Sequence, residues 1–523
     1  MQPDSELRPI MTALSQISTK IKDDHWPQLG ALLAGILTLW IIYLNNGRIN
    51  NDGILYLEVA RLFTEGAWKQ GLALYPWPLY SLLIACVHLI TQLDFQTSAY
   101  VLTVPFFALT SYALLTLVRL VGGGRNVMTA ALLLLFASNY LIRDMLPLIV
   151  REHGFWAFHL LSVLFFVRYY ASKKLIDACL WGGFAVLASL FRLEGLAFLI
   201  FLPIVLLFEP NQPFHSCIKY FLKINIVLGL AATTLLLALA CLPGLSLHDL
   251  GRLGEPVAIL SNAYAQVNHI VHDKSQIMAE SVLNNYLADY ALTGIWLTLL
   301  SVIIGRTGGA IGWLQSALAG FAITSSKAVS RQIKAKPVLI WWASLGILNS
   351  VCILLSQFLL SARMTIPVGF VILMFGAFGL VKLHETWRYR QKNHGPWVWS
   401  YVITCAVLSI ELVMTLIPYD SRKNYEKDGV AWALKNTPSN AKVFYEDGRL
   451  MYYAGLPFPD RMTGWQRIQA NGGSIDDFDV VITHIHRKRP EELKQLIDNH
   501  HLILLKKFED TAGNQLVILQ KNH

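Results

Sequence analysis

Most apolar residues in this chain come in unbroken runs, not in the alternating or 3.6-residue patterns of half-buried elements. The clearest runs are 28–44, 97–118, 126–142, 154–167, 178–191, 195–208, 224–243, 291–305, 337–361, 364–381 and 396–417. A helix needs about 20 apolar residues to cross the hydrocarbon core of a bilayer. Backbone amides and carbonyls cannot go unpaired there, so each run predicts a spanning helix. Three runs have only 14 residues, and their ends are expected to face protein or a water-filled cavity. The first run follows Lys20 and Lys22 and has no small-residue cleavage site behind it, which predicts a retained first helix.

Basic residues orient the runs, because cytoplasmic loops collect Lys and Arg. Arg119 with Arg125, Arg168 with Lys173 and Lys174, Lys219 with Lys223, Lys327 to Lys336, and Lys382 to Lys392 mark cytoplasmic turns. They agree only if the apolar segment 78–93, which holds His88 and starts after Pro76-Trp77-Pro78, lies in the outer interface without crossing. Segment 308–325 has Arg306 and Lys327 on its two sides and reads as a cytoplasmic-face or partly inserted helix. The predicted fold is a polytopic α-helical membrane protein of about eleven spans with a small C-terminal α/β domain. Residues 1–27 form a cytoplasmic N-terminus and 28–417 the membrane domain. Outer loops fall at 45–96, 143–153 and 246–290, and 418–523 form the extracytoplasmic domain.

In the tail, Asn424–Lys435 reads as an amphipathic helix, and Lys442–Glu446 and Asp479–Thr483 as strands. Pro490–His500 opens with Pro and two Glu residues, a good helix start. Leu502–Phe508 and Gln515–Gln520 read as a strand pair around a turn. The tail has no Gly-rich phosphate loop and no nucleophile elbow.

Composition supports the membrane reading: of 523 residues, 54% are hydrophobic and 15% charged, against about 25% charged in soluble domains. The net charge of +9 follows from the cytoplasmic turns, so no nucleic-acid partner is expected. All six cysteines lie in or beside apolar segments without metal-ligand or paired spacing, and are expected to be packing residues.

Charges near membrane depth are costly and usually have a partner or a purpose. Asp52 stands just beyond the first run, with Tyr56 and Ala60 at i+4 and i+8 on one helix face. It suits either a helix cap or a proton acceptor. Arg143 with Asp144, and Arg151 with Glu152 and His153, bracket the second outer turn. They read as loop-closing ion pairs, or as a second carboxylate with cations for an anionic ligand. Arg192 and Glu194 share a tight turn, as a clamp or a phosphate contact. Arg363 lies between two long uncharged runs, where it either snorkels or holds phosphate bidentately.

The ordered motifs resemble the GT-C superfamily of membrane glycosyltransferases. The likeness is to bacterial members of the protein-mannosyltransferase and aminoarabinose-transferase type (family 39-like). Asn51-Asp52-Gly53-x-x-Tyr56-Leu57-x-x-Ala60-Arg61 resembles the acidic first-loop motif, and Tyr75-Pro76-Trp77-Pro78-Leu79-Tyr80 the start of the interfacial helix. Phe191-Arg192-x-Glu194-Gly195 resembles a fifth-helix turn, and Ser361-Ala362-Arg363-x-x-x-Pro367 the start of a late helix. The tail motifs Gly429-Val430-Ala431-Trp432 and Tyr452-Tyr453-Ala454-Gly455 look like the outer domain. Two positions depart: Gly53 follows Asp52 where relatives have a second acid nearby, and Met364 stands where Tyr is common.

The resemblance implies a sugar donor on polyprenyl phosphate and a glycan, lipid or protein acceptor. It implies an active site facing the periplasm of a bacterial inner membrane and inversion with Asp52 as general base. Asp144 is a second catalytic candidate. Arg363, Arg192 and Arg151 are candidates for the donor phosphate, with Tyr56, Glu152, His153 and Glu194 in the pocket. No cofactor is certain; a divalent metal on Asp52 and Asp144 is left open. A transporter or flippase of a lipid-linked substrate is the alternative from another class, and a noncatalytic envelope scaffold a third.

Overall fold

A computed structural model describes residues 25–210, 212–240, 255–325, 335–390, 396–417, 424–458 and 460–522. Lys20, Lys22, Cys241, Lys327, Lys392 and the start of loop 246–290 lie outside the described residues. Each predicted run is helical: Trp26–Asn45, Phe95–Leu120, Arg125–Phe136, Glu152–Ser172, Leu175–Phe191, Gly195–Phe201, Phe214–Ala240, Ala291–Ile311, Lys336–Gln357, Ala362–Arg390 and Pro396–Leu416. Arg125–Phe136 is followed by a π-helical turn, Tyr140–Met145, and Gly195–Phe201 tightens into a 3₁₀ stretch, Leu202–Phe208. By length and composition, seven of the described helices can cross a membrane. The chain divides into two compact units. One holds Met1–Leu39, Thr103–Leu146 and Arg151–Leu416; the other holds Trp40–Leu102, Pro147–Val150 and Ile417–His523.

The first unit is apolar on its outer surface as well as in its core, with small polar residues buried between the helices. Ile226 and Leu230 are 62% and 65% exposed, and Leu300, Ile304, Leu348 and Ile410 are also exposed, whereas Ser111, Ser138 and Thr365 are fully buried. In water that pattern would expose a large aggregation-prone surface; in lipid it costs nothing. With lipid as apolar as leucine, helices associate through close packing and interhelical hydrogen bonds. Ser111 donates to Gly30 O at 3.2 Å, Ser138 to Ala310 O at 3.4 Å and Thr365 to Arg306 O at 3.2 Å. The chain is an integral membrane protein. Cys86, Cys179 and Cys352 are exposed and Cys217 is buried, so only the last of these four fills the packing role expected of all.

Ala362–Arg390 packs against Arg125–Phe136, Ala291–Ile311, Trp313–Ser325 and Lys336–Gln357. The helix after residue 291 continues past Arg306 and stops only at Gly312, whose φ of +121° is open to glycine alone. Trp313–Ser325 has 13 residues, about 20 Å at 1.5 Å per residue, which is short of the hydrocarbon thickness. Its Gln315 is fully buried and donates to Glu411 at 3.0 Å. The segment 246–290, read as a loop, contains the 27-residue helix Glu255–Ser281, which its mixed polarity concealed.

In the second unit the first outer loop folds as Asn51–Thr64, Trp68–Leu74 and Leu79–Thr91. The tail is a four-stranded sheet, β1 (Val443–Tyr445), β2 (Val480–Ile485), β3 (Leu502–Glu509) and β4 (Gln515–Lys521), in the order β1-β2-β4-β3. β1 and β2 are parallel and the other pairs antiparallel. Helix Tyr425–Asn436 buries Val430 and Ala433 on one sheet face, and the other face buries Phe444, Val481 and Leu519. The tail grips the first loop. Ile49 N donates to the Tyr453 hydroxyl at 3.0 Å, Lys427 Nζ to Asn46 O at 3.0 Å, and the Tyr452 hydroxyl to Gln96 at 3.0 Å.

A charged cluster closes the edge of this sheet. His484 lies 3.1 Å from Glu426 and 3.0 Å from Glu446, while Arg449 pairs with Glu426 and Asp447, each at 2.9 Å. Burial opposes protonation of His484, but hydrogen bonds to Glu426 and Glu446 outweigh it and push its pKa up to about 9. Since the folded value lies above that of an unfolded histidine, the stabilisation is complete below about pH 6.5 and is lost as pH rises through 9. Calorimetry of the purified protein should show the tail losing on the order of 2 kcal/mol between pH 6.5 and 9.5. His484→Gln should abolish that slope; an unchanged slope would place the titration elsewhere.

Candidate active site

In the first unit, four charged side chains from three separate stretches meet where helices end. Glu152 opens Glu152–Ser172, Arg192 and Glu194 form the turn after Leu175–Phe191, and Arg363 is the second residue of Ala362–Arg390. The turn is as tight as it is because of Gly195, where a Cβ would come within 2.8 Å of Ser189 Cα and 2.9 Å of its N. Gly154, one turn into its helix, leaves room for the Phe191 ring. That close packing brings Glu152 to Arg192.

Arg192 is held by both carboxylates. Its Nη1 bonds Glu152, its Nη2 bonds Glu194, and its Nε donates to Glu194 Oε2 at 3.1 Å. Its side chain is 5% exposed and that of Glu152 2%. The geometry of Arg192 is that of a clamp joining two helix ends. Burial opposes the charge on Glu194, yet Arg192, with Arg151 nearby, holds its carboxyl well below the usual range.

Arg363 differs. Nη1 lies 3.3 Å from Glu152 Oε1, and the side chain stays 32% exposed. Tyr140, on the π-helical turn, and Ser361 lie near Arg363. The second Glu152 oxygen, Oε2, is buried and accepts no hydrogen bond among the described residues. A buried acceptor left without a donor is uncommon and calls for an explanation; a ligand hydroxyl would supply one. Tyr140 was missed by the sequence reading, since an isolated hydroxyl in an apolar stretch gives no signal, and Ser361 entered it only within the Arg363 motif.

His153 is buried edge-on against Trp156, with centroids 5.4 Å apart. Asp144 is exposed at the end of the π-helical turn, and Arg143 donates to Met414 O at 3.3 Å. At the other end of Glu152–Ser172, a helix of 21 residues and so about 30 Å long, Lys173 pairs with Glu209 and Lys223 donates to Lys173 O at 3.2 Å. The basic turns and the Glu152 cluster thus occupy opposite ends of the unit.

Asp52 and Tyr56 belong to the second unit. The cap of Asn51–Thr64 is Asn50, with Asp52 partly exposed in the first turn, where the amide dipoles favour a carboxylate. Asn50 makes no cap bond; its amide exchanges two hydrogen bonds with the Ile149 backbone, at 3.2 and 3.0 Å. A Cβ at Gly53 would lie 2.9 Å from Asn50 Oδ1 and 3.1 Å from Ile149 Cβ. Glycine after Asp52 is therefore a steric requirement of that bridge. Tyr56 is buried, with its ring 5.3 and 5.2 Å from those of Tyr75 and Tyr80. Among the described residues, no three His, Cys, Asp or Glu are grouped to hold a metal ion.

No protein-family model and no curated protein matches the chain. Solved structures similar to it include two bound to lipid phosphates. One is the archaeal oligosaccharyltransferase AglB from Archaeoglobus fulgidus, in complex with an inhibitory peptide and a dolichol-phosphate. It shares 12% identity at a TM-score of 0.47, over 80% of this chain and 58% of that one. The other is ArnT from Cupriavidus metallidurans bound to undecaprenyl phosphate, with 12% identity at a TM-score of 0.39, over 95% and 98% of the two chains. The chain therefore spans less than two thirds of the AglB length. Identity this low transfers no residue roles.

The clamp and the exposed arginine should separate on mutation. Arg192→Ala removes the buried partner that Glu152 and Glu194 share, leaving Glu152 only the longer contact to Arg363, a loss of about 3–5 kcal/mol. Arg363→Ala should cost less, because Glu152 keeps its closer partner Arg192. Thermal melts of both variants in detergent test this, and equal melting temperatures would contradict it.

Proposed function

We propose that this protein is a membrane-embedded glycosyltransferase that moves a sugar from polyprenyl phosphate to an acceptor hydroxyl at the extracytoplasmic face. The observation that carries the reading is the contrast between the two arginines at Glu152. Arg192 is buried between two carboxylates, whereas Arg363 is partly exposed, with Tyr140 and Ser361 near it. A guanidinium beside hydroxyl donors suits a phosphate. Lys173 and Lys223 at the opposite end support the sidedness, by the rule that basic turns stay in the cytoplasm.

In the proposed step Asp52 takes the proton of the acceptor hydroxyl as its oxygen attacks the anomeric carbon. The bond from that carbon to the phosphate oxygen breaks, its electron pair leaves with polyprenyl phosphate, and the anomeric centre inverts. Arg363 offsets the charge that develops on the leaving phosphate. Glu152 Oε2 accepts a sugar hydroxyl, and Arg192 positions Glu152. Arg151, His153 and Glu194 complete this end of the first unit, Tyr56 supports the Asp52 helix, and Asp144 stands as a second carboxylate. The acceptor is a glycan, a lipid or a protein.

Asp52→Asn keeps shape and removes the base, so turnover should fall roughly 10²–10⁴-fold with an unchanged melting temperature. Arg363→Ala should raise the donor concentration needed for half-maximal rate. Sugar transfer by Asp52→Asn at the wild-type rate would contradict the assignment.

A further inference from the structure

A carboxyl group of the first unit lies inside an apolar span. Glu411 belongs to Pro396–Leu416, a helix that leaves Trp399, Ile403, Ile410 and Val413 exposed to lipid. The Glu411 side chain is partly buried, and Gln315 Nε2 donates to its Oε2 at 3.0 Å. Gln315 is fully buried, yet its own oxygen, Oε1, accepts no hydrogen bond among the described residues. The backbone cages this amide. A Cβ at Gly312 would collide with Gln315 Oε1, and one at Gly376, half-way along Ala362–Arg390, would lie 3.0 Å from Gln315 O.

The helices packed against Pro396–Leu416 are Arg125–Phe136, Trp313–Ser325 and Ala362–Arg390. Trp313–Ser325 has no titratable residue. On Ala362–Arg390 they stand toward the two ends, Arg363 at one and the charged stretch from Lys382 to Arg390 at the other. Arg125 opens Arg125–Phe136, and Arg143 in the turn beyond donates to Met414 O at 3.3 Å. Within its own helix Glu411 has Tyr401, bonded to His384 at 2.8 Å, and Cys405. Among the described residues none of these groups pairs with Glu411, whose polar contact is the Gln315 amide.

We propose that Glu411 is a proton-binding site within the membrane: at neutral pH its carboxyl is the neutral acid, and it donates its proton from Oε1 to Gln315 Oε1. An ionised side chain at membrane depth is costly and calls for a charged partner, and here it would meet only an amide. A protonated carboxyl is neutral and both donates and accepts. Acid and amide then close a ring of two hydrogen bonds, amide N–H to Glu411 Oε2 and carboxyl O–H to Gln315 Oε1. One proton accounts for two observations, a carboxyl without a cation and a buried amide oxygen without a donor. The pair ties a lipid-facing helix to Trp313–Ser325. Loss of the proton would set two acceptors against each other and loosen that tie.

Infrared spectroscopy of the purified full chain in lipid bilayers, with glutamate isotope-labelled at its side-chain carboxyl, tests this. At neutral pH the wild type should show a labelled carboxylic-acid C=O band that shifts in heavy water, and Glu411→Gln should lose it without losing carboxylate intensity. Gln315→Leu should keep the band but move it to the higher frequency of an acid without a partner. Glu385→Gln, which removes an exposed acid paired with Lys382, should lose carboxylate intensity instead. Loss of carboxylate intensity in Glu411→Gln would overturn the proposal, as would a band that stays in place in Gln315→Leu. A wild-type chain with no labelled acid band at neutral pH would overturn it without any variant having to fold.

Discussion

The buried pairing of Glu152, Arg192 and Glu194 is the constraint on which the architecture of the first unit turns. An ion taken out of water costs several kcal/mol unless a partner of good geometry meets it. At the end of apolar helices there is little water to help. Arg192 meets the requirement by bonding both carboxylates, and its neighbours Gly154 and Gly195 permit the close approach. Once the clamp is made, the start of one helix and the end of another are fixed, and Glu152 is held with one oxygen lacking a donor among the described residues. Arg363 joins this base with its side chain partly exposed.

The same economy holds through the rest of the first unit. Leucine and isoleucine face outward at no cost because the solvent is lipid, while serine and threonine turn inward to backbone carbonyls. The second unit obeys the ordinary rule of water, with a sheet covered on both faces and charges at its rim. Its hold on residues 46–49 and the Asn50–Ile149 bridge fix the first turn of the helix that carries Asp52.

Much of this fold is legible in the sequence because hydropathy is a one-dimensional signal. The apolar runs are helices, and the strands of the tail fall within a residue or two of their alternating segments. Boundaries moved where polar residues extend a helix beyond its apolar centre: 154–167 became Glu152–Ser172. Helix Gly464–Ala470 was missed, although its capping box, Thr463 with Gln466, is a readable start signal. The site was legible only in part. Sequence marks the costly charges but not who meets whom. Glu152 and Arg192 are 40 residues apart, and adjacency in the chain suggested Arg151 as the partner of Glu152. The choice between clamp and ligand contact for Arg192 needed coordinates, as did the hydroxyls of Tyr140 and Ser361 beside Arg363.

The central claim is that an accessible arginine on a rigid buried clamp serves chemistry on a lipid-linked sugar, not passage of that lipid across the membrane. The most direct measurement follows a radiolabelled polyprenyl-phosphate sugar incubated with the purified protein in detergent, with envelope extract as acceptor. Without compartments, a flippase has nothing to do. The account predicts that the donor is consumed, that free polyprenyl phosphate appears in equal amount, and that label enters the acceptor. A donor that stays intact in detergent yet crosses the bilayer when the same protein is placed in vesicles would contradict it.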